Sequence, residues 1–182
     1  TVRILCGDQH KKGEPDYYVV PNLSFGKLLN RYVEKVGVTL AKPEKTVIRK
    51  ALKGADHVHI MVPLPLGIAA CKVARELNIS MTAGFHMQAE NFTTHLKMNK
   101  LQPLNKYVYK FIWKHLYRHV QGIHYPTHFI RNVFEKNIKK ETPGYVISNG
   151  VHDYVERRET PKPDEFNDKV VILTTGRYAR EK

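Results

Sequence analysis

The hydrophobic pattern of the chain switches repeatedly between two periods. HVHIMVP at 57–63 is an apolar run of strand length, broken by Pro63 and Pro65. Leu66, Ala69, Ala70, Val73, Ala74 and Leu77 then recur at three- and four-residue spacing, as one face of an amphipathic helix does, with Lys72, Arg75 and Glu76 opposite. Asn78 ends that helix, and ISMTAGF predicts a second strand. Strand, crossover helix and strand make a βαβ unit, so the two strands run parallel. Ligands of such sheets bind beyond the carboxyl ends of the strands. The second strand runs out in Gly84-Phe85-His86, which sets an imidazole at that place; a structural histidine closing a strand fits the position equally well.

The same reading extends in both directions. Val2 to Cys6 and YYVV at 17–20 predict strands on either side of the polar loop GDQHKKGEPD. Leu28, Leu29, Tyr32, Val33 and Val36 predict a helix closed by Gly37, and Val47, Ile48, Ala51 and Leu52 another closed by Gly54. Over 104–120, Leu104, Val108, Phe111, Ile112 and Leu116 give the buried stripe of a helix, while Lys106, Lys110, Trp113, Lys114, Tyr117 and Arg118 give its outer face. GIHYP predicts a strand, Thr127 an N-cap for HFIRNVFEKNIKK, and YVIS a further strand. The segment 153–168 is rich in charge and proline and reads as a linker, after which KVVILTTG predicts a new strand. The sum is an α/β chain with a parallel sheet flanked by helices over 1–152, a linker over 153–168, and the opening of a second domain over 169–182.

Charge changes the picture at one place. The 182 residues carry a net charge of +13. Between His95 and Lys140 ten Lys or Arg face the single acid Glu135, so that segment supplies nine of the thirteen charges. Such a patch attracts nucleic acid, an acidic membrane surface or phosphorylated substrates. A helix face that mixes lysines with Trp and Tyr fits a membrane interface, where the rings sit at headgroup level and the cations meet anionic lipid; an ordinary surface helix with snorkelling lysines is the plainer alternative. No run approaches the roughly 18 apolar residues of a membrane span. Two cysteines, Cys6 and Cys71, suggest no disulfide framework and favour a reducing cytoplasm.

Other constellations point nowhere. His57-Val58-His59 is read as turning its two rings to alternate faces of a strand, and neither His115 with His119 nor His124 with His128 is completed by a carboxylate or cysteine, so no metal site is expected. Without a G-x-G-x-x-G or P-loop there is no support for a dinucleotide-binding or kinase reading, and without a nucleic-acid motif no nucleic-acid partner is expected.

Four blocks in order resemble the GT-B glycosyltransferases of the family 4 type. VHIMVPLPLGIAACKVARELNI looks like the core βαβ unit, and GFHMQAEN like the F-H-x-Q-x-E-N segment of members close to diacylglycerol glucosyltransferases and related glycolipid synthases. VISNGV resembles the block before the interdomain linker, and ILTTGRYAREK the G-R-x-x-x-E-K block that opens the nucleotide-sugar domain. His152 departs from the pattern, since the family often has Asp there. The resemblance implies the Rossmann-like acceptor domain of such an enzyme, without its first βα unit and glycine-rich loop, followed by the opening of the donor domain. It implies that the parent moves a hexose with retention from a nucleotide sugar, UDP-glucose, to an acceptor hydroxyl, with no cofactor or metal held by the protein, and that this stretch alone is inactive.

The resemblance also implies roles. His86 stands near the transferred sugar as the catalytic histidine. Arg177 and Lys182 hold the donor diphosphate, the first as a planar fork and the second as a point charge, with Glu181 orienting Lys182 or capping the helix expected to follow. Gln88, Glu90, Asn91, Asn149 and Gly150 line the acceptor cleft; a helix-capping Glu90 and an ordinary Asn-Gly turn remain equally open. Joined to the basic helix, the subgroup likeness implies a membrane lipid acceptor such as diacylglycerol and a peripheral place on an anionic cytoplasmic membrane face. A soluble or polyprenyl-linked sugar acceptor is the alternative.

Overall fold

The computed structural model describes residues 1–24, 40–86, 88–90 and 102–173; the helix expected over 25–36, and Asn91, Arg177, Glu181 and Lys182, lie outside them. The chain divides into two units, Thr1–Ser148 and Asn149–Lys182.

In the first unit β1 (Ile4–Cys6) pairs in parallel with β2 (Tyr17–Val19). A four-stranded sheet follows: β3 (His57–Ile60), β4 (Ser80–Gly84), β5 (Gly122–Tyr125) and β6 (Gly144–Val146) lie side by side in chain order, every pair parallel. Around them stand α1 (Lys45–Leu52), α2 (Pro65–Glu76), α3 (Gln102–His115) and α4 (His128–Ile138). This is the helix-flanked parallel α/β architecture that the two hydrophobic periods predict. Strands laid down in one direction through right-handed crossovers carry their helices on one face. Ile60, Met81, Ala83, Ile123 and Tyr125 belong to the buried core, on one face of the pleat. The alternate positions His57, His59, Thr82, His124 and Tyr145 share the opposite face.

Local chemistry sets the element ends. Pro65 opens α2, where a missing N–H costs nothing. Asn78 takes the left-handed conformation just after it, with φ 54°. The Thr127 hydroxyl caps α4 by accepting from Ile130 N–H at 3.2 Å. Glu76 of α2 pairs with Lys45 (3.3 Å) and with Arg49, both on α1. Glu135, the lone acid of the basic segment, is spent structurally. It pairs with Arg131 at 3.1 Å and accepts from Thr142 N–H and Oγ1, each at 2.8 Å, tying α4 to the approach of β6.

The core is aromatic. Phe134 of α4 sits among Phe85 (ring centroids 4.3 Å), Tyr117 (5.2 Å), Tyr109 (6.1 Å), Tyr125 (6.3 Å) and Trp113 (6.4 Å). Tyr109, Tyr117 and Tyr125 are buried to the ring, and each hydroxyl has a partner. Tyr109 donates to Glu90, Tyr117 to the Gly84 carbonyl at 2.8 Å, and Tyr125 pairs with Thr142 Oγ1 at 2.9 Å. Burial pushes the Tyr125 phenol up to about 12.

Three expectations need correction. The third helix ends at His115, with a 3₁₀ turn over Tyr117–His119, and its faces are rotated. Tyr117, assigned to the outer face, is 1% exposed, and Trp113 is only half-exposed and packs on Phe134, whereas Phe111 is 40% exposed and Tyr107 65%. The reason is that a tyrosine whose hydroxyl finds a buried carbonyl is a core residue, so the inner stripe is Asn105, Tyr109, Ile112 and Leu116. Second, of the strand expected over 169–176, residues 174–176 lie outside the described residues, and 170–173 are exposed and carry no strand pairing among the described residues. Third, His57 and His59 share a face, because side chains two apart on a strand point the same way.

Candidate active site

The site is built on the carboxyl end of β4. Phe85 is fully buried in the aromatic cluster, and its N–H donates to the His124 carbonyl at 2.8 Å. The preceding carbonyl, of Gly84, is held by Tyr117. With residues 84 and 85 pinned, His86 leaves the sheet from a rigid base. Its ring folds back over Gly84: a Cβ at that glycine would stand 2.6 Å from His86 Nε2 and 3.4 Å from the Met61 carbonyl. Only a residue without a side chain fits under the ring. His86 Nε2 is buried and has no hydrogen-bond partner among the described residues.

His124, from the neighbouring strand, meets the His86 ring edge-on at 5.0 Å. Its Nε2 lies 2.7 Å from the Ile147 carbonyl, so that nitrogen carries the proton and donates. Further along the same face, Ser80 Oγ donates to the Asp56 carbonyl at 3.2 Å and therefore accepts from His57 Nδ1 at 2.6 Å. His57 Nε2 and His59 Nδ1 both reach Thr82 Oγ1 at 2.8 Å; one hydroxyl proton means Thr82 donates to one ring and accepts from the other. Four histidines thus share one face of the sheet. Burial, then the neighbouring histidines, hold His59 below the ordinary imidazole value, and burial, then His124, do the same for His86. Among the described residues no group of three or more His, Cys, Asp or Glu converges on a point where a metal ion could sit.

The depressed values have a consequence for stability. A histidine whose folded value lies below its unfolded one binds fewer protons when folded, so its contribution is present above the unfolded value and lost as pH falls through it. The unfolded value is about 6.5. Melting temperature is therefore expected to fall as pH drops from 7.5 to 5.5, above the carboxylate range. A His59→Asn, His86→Asn double variant is expected to fall less; an identical decline in both proteins would contradict the assignment.

The remaining expected site residues are placed unevenly. Gln88 is half-buried. Glu90 accepts from the Tyr109 hydroxyl, which itself accepts from Ala89 N–H at 3.1 Å, so this carboxylate ties the chain after His86 to α3. Asn149 and Gly150 are exposed and belong to the second unit. Lys106, Lys110, Lys114 and Arg118 are exposed as expected. Sequence reasoning missed Gly84, Thr82 and His124; the period-two placement of His57, His59, Thr82 and His124 was the available signal.

The sequence profile described as Glycosyltransferase Family 4 matches residues 2–153. The chain belongs to that family. The match covers all the described strands of the parallel sheet and the described helices flanking it, His86 included. No curated protein and no solved structure is a significant match. The chain is accordingly a glycosyltransferase domain of family 4 with a Rossmann-like parallel sheet, and none of its described helices is long and apolar enough to cross a membrane.

Proposed function

We propose that this family 4 domain serves retaining transfer of a hexose, glucose from UDP-glucose, to the hydroxyl of a membrane lipid such as diacylglycerol. In that reaction the bond from the sugar C1 to the diphosphate oxygen breaks. The acceptor oxygen bonds C1 on the same face, and its proton leaves with the diphosphate. His86 meets the sugar. A buried imidazole nitrogen without a partner costs about 1–3 kcal/mol, which a hydrogen bond to a sugar hydroxyl would recover once the ring turns to meet it. Arg177 and Lys182, outside the described residues, carry the diphosphate in this reading by their place in the G-R-x-x-x-E-K block.

The observation that carries the lipid acceptor is the outward face of α3. Lys106, Lys110 and Lys114 stand exposed with Tyr107 and Phe111, whose rings stack at 6.4 Å between centroids. Two exposed aromatic rings on a cationic helix face suit the headgroup layer, and each cation contributes about 1 kcal/mol near an anionic surface. The full-length gene product is expected to sediment with acidic vesicles and not with neutral ones. Lys106→Glu, Lys110→Glu and Lys114→Glu together are expected to abolish that binding. Binding to neither kind of vesicle would favour the soluble acceptor, and equal binding to both would mean that the lysines do not carry the attachment.

A further inference from the structure

A second site stands on the helical side of the sheet, away from His86. The groove between α2 and α3 has a volume of about 690 Å³, within the range of small-molecule sites. Its cations are Lys72, Arg75, Lys114 and Arg118, and no acid among the described residues lines it. Between them runs an apolar floor that includes Pro65, Ile68 and Phe111.

The cationic end is assembled in an unusual way. Arg75 Nη1 approaches His119 Nε2 at 3.3 Å, and Arg118 Nε approaches the same nitrogen at 3.2 Å. A guanidinium only donates, so His119 Nε2 accepts from both. Burial, then Arg75 and Arg118, hold that imidazole below its ordinary value, so it stays neutral beside the two cations. Two guanidiniums therefore converge on one neutral acceptor with no carboxylate in the groove. Like charges so placed repel, and the bidentate geometry of guanidinium matches a phosphate.

Topology separates this end from the reaction site. Arg75 lies in the last turn of α2, just before the amino end of β4, and His119 just before the amino end of β5. His86 follows the carboxyl end of β4, a strand of five residues or about 16 Å. A ligand phosphate at Arg75 is thus not the phosphate of a donor reacting at His86.

We propose that the α2–α3 groove binds one phosphate-bearing lipid, its phosphate between Arg75 and Arg118 and its hydrocarbon over Ile68 and Phe111. Charge complementarity selects the anion, and the apolar floor selects an amphiphile over a free ion. Phe111 and Lys114 belong both to the groove and to the outward face of α3, so the site opens on the surface that meets the bilayer. The proposal rests on the membrane reading above and adds to it a defined, saturable site.

Monomeric dihexanoyl phosphatidate, titrated calorimetrically into the full-length gene product, is expected to saturate at one lipid per chain. Inorganic phosphate is expected to bind at least tenfold more weakly. Arg75→Gln or Arg118→Gln is expected to lower phosphatidate affinity about tenfold or more, with an unchanged melting temperature since both side chains are exposed. The Lys106→Glu, Lys110→Glu variant is expected to bind the monomeric lipid normally while losing vesicles. Absent saturation, equal affinity for inorganic phosphate, or full affinity in both arginine variants would overturn the proposal. Vesicle binding without monomer binding would leave the membrane reading standing and remove the site; monomer binding without vesicle binding would do the reverse.

Discussion

Phe134→Ala is expected to cost about 3–5 kcal/mol of folding stability. Phe134 is fully buried among five other rings, contributed by α3, the end of β4, β5 and the turn after α3. Removing it opens a cavity that aromatic neighbours fill poorly, because ring orientation is set by their own hydroxyl bonds: Tyr117 to Gly84 and Tyr125 to Thr142. A domain of ordinary stability has only about 5–15 kcal/mol to lose. Trp113, the one tryptophan of this sequence, lies 6.4 Å from Phe134 and reports the transition by fluorescence in urea. Phe134→Leu keeps much of the volume and is expected to lose less than half as much. A loss under about 1 kcal/mol for the alanine variant would mean that the cluster is not the core.

His86→Ala is expected to lower the transfer rate of the full-length gene product about 10²- to 10³-fold, with a melting temperature no lower than that of the parent. The ring contributes little to stability, since its Nε2 is buried without a partner among the described residues. Truncation removes that unmet group along with the contact to the sugar that we propose for it. A companion variant separates position from chemistry. Gly84→Ala keeps the imidazole but drives a Cβ to within 2.6 Å of Nε2, so the ring must shift. A displacement of that order is expected to cost up to about 100-fold in rate, with the Michaelis constant for the acceptor little changed. A Gly84→Ala enzyme of full activity would show that the ring's seat over β4 plays no part.

How legible these features were in the sequence depends on how far apart their causes lie. The unit over 57–84 was readable because each of its signals is local: Pro65 at the first position of α2, the three-four spacing of Ala70, Val73 and Ala74, and the left-handed Asn78. Thr127 as a cap was readable for the same reason. The face of α3 was not. A stripe drawn through Leu, Val and Phe ignores Tyr109 and Tyr117, whose burial depends on Glu90 and Gly84 being present to take their protons. The histidine face depends on register, with His59 opposite Thr82 and Gly84 opposite His124, and register between distant strands is fixed by packing rather than by neighbours along the chain. The Arg75–His119–Arg118 cluster is further from reach still, since it joins the end of one crossover helix to the turn after another. His86 is legible from its motif and its place after a strand, whereas its unpartnered nitrogen and its glycine seat arise only from tertiary packing.

The most direct test is histidine-ring nitrogen NMR of the full-length gene product during titration with a nucleotide sugar, with His86→Ala assigning the signal. Saturable movement of the His86 Nε2 resonance, with the solvent-exposed His10 unmoved, is the predicted result. Saturation with the sugar nucleotide, confirmed by calorimetry, that leaves the His86 resonance where it was would contradict the placing of this ring at the reacting sugar.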